Sequence, residues 1–369
     1  MKVKKIEVIH IQLPYVAPFE VSFGRLVDKH ALIIKLHTDD LVAYGECTAF
    51  QAPWYNSETV WTVMHMIKDY IAPRILNQEI QGPEDLVERL SFIRGNRMAI
   101  AAVEMAWWDL EMRAQKKSLK TLLGGVQDEI PAGASIGIQT TVQILLDKIG
   151  AHLDLGYRKI KVKIKPGWDV DVLRTIRKTF PYAPLMADAN SAYSLDDIDV
   201  FKAMDEFDLM MIEQPLAEDD IIDHIKLQSA IKTPICLDES IESCEDARKA
   251  IELGACKIIN IKPSRVGGLL ESKKIHDLCQ KNGIPVWCGG IFELGIGRVQ
   301  NIALASLPNF TIPGDLSPSK RHFHEDITIP RVDINERCMI VVPDEKNGIV
   351  YEIDDAAIAR LTKEQFELT

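Results

Sequence analysis

Arg158-Lys-Ile-Lys-Val-Lys-Ile164, Pro184-Leu-Met-Ala-Asp-Ala-Asn190, Leu209-Met-Met-Ile-Glu-Gln-Pro215, Pro234-Ile-Cys-Leu-Asp-Glu-Ser240 and Lys257-Ile-Ile-Asn-Ile-Lys-Pro263 are apolar runs that end in charged residues. Their spacing is nearly constant: Lys163 to Asp188, Asp188 to Glu213 and Glu213 to Asp238 are 25 positions each, and Asp238 to Lys262 is 24. That is the length of one compact strand-and-helix unit. The intervals 169–180, 194–207, 219–232, 243–254 and 267–281 carry apolar residues at helical spacing, Val172, Ile176 and Phe180 among them. Ser194 before Asp196-Asp197 and Ser243 before Glu245-Asp246 are suitable helix caps. Short unbroken apolar strands alternating with helices predict parallel strands covered on both faces. In a barrel of such units the strands' C-terminal ends form one rim, where active sites sit.

Outward from this core, Ala132-Gly-Ala-Ser-Ile-Gly-Ile138 supplies a strand before the charged series, and Pro285-Val-Trp-Cys-Gly-Gly290 and Phe310-Thr-Ile-Pro-Gly-Asp315 supply two after it. Residues 1–50 read as antiparallel strands, Val3–Leu13, His30–His37 and Val42–Ala49, with Pro18–Gly24 as a long loop. Residues 57–94 read as helical, with Trp61, Met64, Ile67 and Ile71 on one face. In the helix expected over 97–115, Ile100, Val103, Trp107, Leu110 and Ala114 line a stripe. The expected fold is α/β: a modified TIM (β/α) barrel over 126–316, an N-terminal α+β capping domain over 1–125, and a C-terminal tail, 317–369, that completes the cap. Within the tail, Met339–Val342 and Gly348–Ile353 are the strand-like runs.

The bulk numbers narrow the function. A chain of 369 residues with 47% hydrophobic content can build large cores, and a net charge of -11 without a basic stripe speaks against nucleic acid. No run reaches the roughly 18 apolar residues of a membrane span. The N-terminus lacks the apolar core of a signal peptide. Seven scattered cysteines without a C-x-x-C pair predict free thiols in a reducing cytoplasm.

Asp188, Glu213 and Asp238 at one rim would repel one another without a counter-charge. A hard divalent cation supplies it, and oxygen ligands suit Mg²⁺ or Mn²⁺ better than zinc. Lys161 and Lys163 are two apart and point to the same side of their strand. Lys163 would face the metal from one flank and Lys262 from the other. A cation beside two lysines predicts lowered ammonium pKa values and a base usable near neutral pH. Such a site is suited to taking the proton α to a metal-held carboxylate. A barrel that binds a metal–carboxylate ligand without turnover is the competing reading, and the intact set of lysines and acids argues against it.

Lys161-Val-Lys163, Asp188-Ala-Asn190, Glu213-Gln-Pro215, Asp238-Glu-Ser240 and Ile261-Lys262-Pro263 together resemble the muconate lactonising enzyme subgroup of the enolase superfamily, which uses Lys or His bases with magnesium. The longer strings Lys163-Ile-Lys-Pro-Gly-Trp-Asp169, Ala187-Asp-Ala-Asn-Ser-Ala-Tyr193 and Pro285-Val-Trp-Cys-Gly-Gly290 resemble its o-succinylbenzoate synthase and N-acylamino acid racemase group. The resemblance spans the whole chain. It implies magnesium on Asp188, Glu213 and Asp238, Lys163 and Lys262 as the acid–base pair, and Lys161 against the carboxylate of a small-molecule substrate.

The reaction it implies is the syn dehydration of a succinyl-cyclohexadiene carboxylate, a menaquinone-pathway step. Lys163 takes the α-proton and returns it to the leaving hydroxide, while Lys262 stabilises the anion. Racemisation of N-succinylamino acids would use both lysines, one per face, and muconate cycloisomerisation stays open as a third activity. Arg265, in Lys262-Pro-Ser-Arg265-Val-Gly-Gly268, matches an arginine of the racemase-capable members thought to tune Lys262; otherwise it is a surface residue at a helix start. Glu239 is expected behind the metal ligands, and Asn190 on the substrate. Phe19, Ser22, Phe23 and Trp54 are expected to close the cap over the substrate, with Ser135, Gly290 and Ile291 on the succinyl side; packing between cap and barrel is the competing role. Gly289-Gly-Ile-Phe-Glu-Leu-Gly295 departs from the group's Gly-Gly-Met-hydrophobic-Glu-Ala/Thr-Gly pattern. The lack of an Asp-x-Asp at the eighth strand argues against dipeptide epimerase. Relatives of this kind are homo-oligomers, dimers or octamers.

Overall fold

The computed structural model describes residues 1–22, 24–345 and 351–369. Two sheets organise it. The first is antiparallel, with strand order Thr362–Leu368, Lys5–Val21, Gly24–His37, Val42–Cys47. The chain's last strand therefore pairs with its first, Ile6 opposite Leu368 and His10 opposite Glu364.

The stretch expected as a loop over 18–24 is a hairpin instead. Beyond an irregularity between Pro14 and Phe19 the ladder resumes, with Phe19 opposite Leu26 and Val21 opposite Gly24. Pro14 and Pro18 lack donors and break the ladder locally, but Val21 and Leu26 are buried and hold the pair together beyond them. Phe23 lies outside the described residues.

The helical stretch expected over 57–94 is two segments, residues 60–75 and Pro83–Arg89, parted at Gly82-Pro83. Met64, Ile67 and Ile71 are buried as expected; Trp61 is half exposed, at the edge of that face, edge-on to His10 at 5.1 Å. The helix Arg97–Gln115 buries more than one stripe. Val103, Ala106 and Trp107 pack into the cap core while Ala101 and Met105 pack into the barrel core. Ala114 is exposed. A helix clamped between two cores is apolar on both faces, so a single stripe underestimates it. At its tightest point Gly45 of the cap sheet approaches the helix so closely that a Cβ there would stand 2.2 Å from the Ala102 carbonyl oxygen.

The second sheet is parallel, its seven strands in sequence order: Ala134–Ile136, Ile160–Lys163, Leu185–Asp188, Ile212–Glu213, Ile235–Leu237, Ile258–Ile261 and Val286–Cys288. Helices Val142–Asp154, Val170–Thr179, Ile198–Met204, Ile222–Ala230, Cys244–Leu253 and Leu269–Lys281 alternate with the strands. Ser243 caps its helix by accepting from the Asp246 amide, and Ser194 forms a capping box with Asp197. The expected eighth strand is a correction: Phe310–Asp315 makes only single bridges, Phe310 to Val286 and Gly314 to Ala132. Pro313 has no N–H to give a ladder. The bridges, with the Asp315 amide donating to the Cys288 carbonyl at 2.9 Å, still close the ring between the last strand and the first.

Strand alternation sorts the side chains. Ile160, Val162, Leu185, Ala187, Ile212, Ile235, Leu237, Ile259 and Ile261 pack outward under the helices. Met186, Met211, Cys236, Ile258 and Trp287 form a small core inside the ring. Stepping two residues on from Met186, Met211 and Cys236 reaches Asp188, Glu213 and Asp238, and four on from Ile258 reaches Lys262. All seven cysteines are free, and among the described residues no helix is long and apolar enough to cross a membrane.

Candidate active site

Register brings the predicted residues together. The ladder sets Lys163 opposite Asp188 and Asp188 opposite Glu213, so these stand at one level on adjacent strands. Glu213 is opposite Cys236, which puts Asp238 one pleat higher, as the shear of a closed sheet requires. Asp188, Glu213 and Asp238 are all fully buried, and Lys161, Lys163 and Lys262 nearly so.

Each carboxylate meets an ammonium. Lys163 Nζ donates to Asp188 Oδ2 at 2.6 Å and to Asn190 Oδ1 at 2.5 Å. Lys161 Nζ bridges Asp188 Oδ2 at 3.1 Å and Glu213 Oε2 at 3.0 Å, and also pairs with Asp315. Lys262 Nζ donates to Asp238 Oδ2 at 2.6 Å and to the Tyr55 hydroxyl at 3.3 Å. Lys163 and Lys262 thus enter on different acids, with Lys161 and Glu213 between them.

The electrostatics follow from burial opposed by pairing. Burial pushes the Asp188 carboxyl up, but Lys163 and Lys161 outweigh it and hold its pKa well below the usual carboxylate value. Asp238 is likewise held low, by Lys262 and Arg265 against burial. Glu213 goes the other way. Burial and the neighbouring Asp188 push it well above its usual value in spite of Lys161. For Lys262 burial lowers the pKa, but Asp238, Tyr55, Glu239 and Glu213 outweigh burial and raise it above the ordinary lysine value.

These donors fit a hard divalent cation: three carboxylates on successive strands, one of which, Glu213, lacks enough positive charge to offset its burial and its acidic neighbour. As they stand, lysine ammoniums hold the carboxylate oxygens, and among the described residues no three acids, histidines or cysteines are gathered as a metal cluster. Glu239 stands behind the acids, accepting from Asn190 Nδ2 at 2.8 Å; burial and Asp238 push its pKa up to about 7, and its Oε2 has no partner.

Arg265 is not a surface residue. It is 2% exposed and donates to the Asn260 carbonyl at 2.6 Å, the Ile241 carbonyl at 2.8 Å, the Tyr55 hydroxyl at 3.1 Å and Asp238. Its route to Lys262 runs through the shared Asp238 and Tyr55. Trp54 is the other correction. It is 42% exposed and lies against Phe50, while its neighbour Tyr55 turns inward to Asp238, Lys262 and Arg265.

Phe19, Ser135, Asn190, Gly290 and Ile291 line a cavity of about 70 Å³ with Lys161, Lys163 and Lys262. Ser22 reaches its edge, donating to the Asn190 carbonyl at 3.2 Å. A larger cavity of about 360 Å³, walled by Met112, Ile296, Val299 and Ala303, lies away from every candidate residue.

The sequence pattern does not mark Tyr55, Asn260, Asp315, Arg321 or His322, all at the site. Asn260 donates to Glu213 Oε1 at 2.8 Å and stands two residues before Lys262, so strand alternation could have found it. Asp315 ends the eighth apolar run as Asp188 ends the third, and pairs with Lys159 at 2.8 Å and with Lys161. Tyr55, Arg321 and His322 carry no sequence signal.

Comparison with known proteins agrees with this geometry. The family "Enolase C-terminal domain-like" matches residues 145–357, and "Mandelate racemase / muconate lactonizing enzyme, N-terminal domain" matches residues 5–124. An o-succinylbenzoate synthase of Geobacillus stearothermophilus is 52% identical over 96% of this chain and 94% of its own length. An N-succinylamino acid racemase of Amycolatopsis is 46% identical over 90% of both chains. A solved enolase-superfamily protein of Listeria innocua has a TM-score of 0.94 at 42% identity, covering 100% of this chain and 99% of its own. A dipeptide epimerase of Cytophaga hutchinsonii, solved with Mg and a dipeptide, shares the fold over 100% of both chains at TM-score 0.91 and 23% identity. The chain belongs to the enolase superfamily of enzymes, with an N-terminal domain of the mandelate racemase and muconate lactonizing enzyme type.

Proposed function

We propose that this chain is an o-succinylbenzoate synthase that dehydrates 2-succinyl-6-hydroxy-2,4-cyclohexadiene-1-carboxylate, a step of menaquinone biosynthesis. The observation that carries it is the placing of Lys163 and Lys262 on different acids of one buried set, at 2.6 Å each. Asp188, Glu213 and Asp238 would hold Mg²⁺, with Mn²⁺ as a substitute. The cation would supply positive charge to the substrate carboxylate as negative charge develops there.

Lys163, neutral when it acts, takes the proton α to the carboxylate; the electron pair moves into the ring, hydroxide leaves the neighbouring carbon, and the same proton returns to it as water. One face and one lysine serve both transfers. Lys262 stays charged and balances the anion from the other flank, and Lys161 keeps Glu213 and Asp188 in place. Tyr55, Phe19 and Ser22 reach the site from the N-terminal segment and exclude water. An enzyme of this kind works in the cytoplasm as a homo-oligomer.

A second activity, N-succinylamino acid racemisation, is favoured by the burial of Arg265 against the Asp238 and Tyr55 partners of Lys262. Racemisation needs a base on each face, so Lys262 must also shed and regain a proton. The synthase reading is tested by adding the cyclohexadiene substrate and Mg²⁺ and following the aromatic product by absorbance. Magnesium-dependent formation of o-succinylbenzoate is expected; an inert substrate with intact, magnesium-loaded protein sinks the reading.

A further inference from the structure

Arg321 is a cation without an acid. Its Nη2 donates to the Ser135 backbone carbonyl, and among the described residues it makes no ion pair. The guanidinium has five N–H groups and cannot shed its charge. Enclosure by the surrounding chain pushes its pKa down, although it keeps some contact with solvent through the cavity. The strongest neighbouring acid, Asp315, is already taken by Lys159 and Lys161. Arg298, also buried at the first cavity, gives Nη1 and Nη2 to the Ser317 and Glu293 carbonyls, and only its Nε lacks a partner among the described residues.

Position supplies the second observation. Arg321 and His322, with Phe19 and Ser135, line both the 70 Å³ cavity at the lysines and a second cavity of about 180 Å³. The second is walled by Lys148 and His152. Its one acid, Glu20, accepts from Lys165 at 3.4 Å. Ligand pockets are commonly about 300 Å³ or more, so the 70 Å³ cavity at the lysines is too small for a ring and a four-carbon arm. The two cavities share Arg321 and His322 as a wall, so an arm longer than the first cavity holds would run along Arg321 toward the second. What it meets there is a fork of N–H donors matched to a carboxylate.

We propose that Arg321 binds the distal carboxylate of the substrate and makes this site selective for dicarboxylates whose second acid ends a succinyl arm. The proposal rests on the synthase and racemase reading, since both substrates carry that arm. It makes Arg321 a specificity residue that touches the part of the substrate no proton transfer involves. Lys148, at the outer cavity, adds positive charge on the approach.

The test compares binding and turnover in wild type, Arg321→Gln and Arg321→Lys, all with Mg²⁺. Calorimetry measures o-succinylbenzoate against its terminal carboxamide, which has the same shape without the charge. Wild type is expected to favour the dicarboxylate by about 10- to 100-fold. Arg321→Gln should erase that preference while binding the carboxamide as wild type does, and Arg321→Lys should restore part of it. In turnover the loss should fall on KM for N-succinylamino acids and spare kcat. An undiminished preference in Arg321→Gln, or an equal loss for both ligands, overturns the proposal. Charge-dependent binding without turnover leaves Arg321 as assigned and overturns the reaction; turnover without the preference does the reverse. Absence of binding by either ligand overturns the proposal.

Discussion

Lys262 and Arg265 both lean on Asp238, so this carboxylate carries two cations and one tyrosine hydroxyl at once. Space around Lys262 is set by Gly289: a Cβ there would stand 2.6 Å from Lys262 Cε and 2.4 Å from Asn260 Oδ1. Gly289→Ala should therefore displace the lysine and cut turnover by about 10²-fold or more, as a misplacement of about 1 Å does, while circular dichroism stays that of the wild type. Lys163→Ala should lose about 10²- to 10⁴-fold in turnover, the usual contribution of a positioned acid–base group, with Mn²⁺ affinity kept; unchanged turnover would contradict its role as base. At this scale the sequence was most legible where strand alternation applies, because a period of two sends Lys161, Lys163, Asp188, Glu213, Asp238 and Lys262 to one side. Trp54 and Tyr55 differ because a turn has no such period. The irregular backbone over 51–57 decides which ring turns in, and residue type alone favours the wrong one.

Buried carboxylates that cap helices join the elements. Glu104, inside the helix Arg97–Gln115, accepts from the Leu269 and Leu270 amides at 2.8 and 2.9 Å, at the start of the helix Leu269–Lys281. Glu46 accepts from Leu294 and Gly297 at 2.8 Å each, and Glu58 from Met98 and Ala99 at 2.8 and 3.0 Å. Each satisfies two orphan amides at a helix start. Glu104→Ala leaves the Leu269 and Leu270 amides buried and unmet and should cost about 1–3 kcal/mol, read as a lowered midpoint in denaturant.

Burial pushes Glu104 up to about 7, against about 4.3 in an unfolded chain. Between those values the folded chain holds a proton that the unfolded chain has lost, so this group's contribution to stability falls as pH rises. Histidines kept neutral by burial, such as His10, act in the opposite sense, so the readout is the difference between proteins. Glu104→Gln should gain on the wild type from pH 5 to pH 8; a variant that loses ground over that range would show the carboxylate to be favoured ionised. None of these caps was legible in the sequence. A glutamate amid Ala102, Val103, Met105 and Ala106 reads as the polar edge of a helix until a second domain covers it.

At the scale of the whole molecule, the parallel unit repeat and the antiparallel N-terminal strands were legible, since both rest on apolar periodicity. The eighth segment was not, because Pro313 reduces it to single bridges while closure of the ring survives. Nor was the hairpin over 19–26, which prolines disguise as a loop. Those two departures lie beside the site: the hairpin delivers Phe19 and Ser22, and the eighth segment delivers Asp315. Removing divalent metal should abolish turnover while leaving the folded state intact, since lysine ammoniums already meet Asp188 and Asp238. Mg²⁺ or Mn²⁺ should restore activity; full activity in chelator would contradict the assignment of the acids.

The central claim is that Lys163 and Lys262 face one substrate carbon from opposite sides. Proton NMR in D₂O with Mg²⁺ and an N-succinyl-L-amino acid tests it most directly, using wild type, Lys163→Ala and Lys262→Ala. Wild type should wash out the α-proton and accumulate the opposite enantiomer, and each variant should exchange one enantiomer only, the opposite one in each case. Exchange of both enantiomers by either variant, or none by a wild type that binds the ligand, would contradict the two-lysine site.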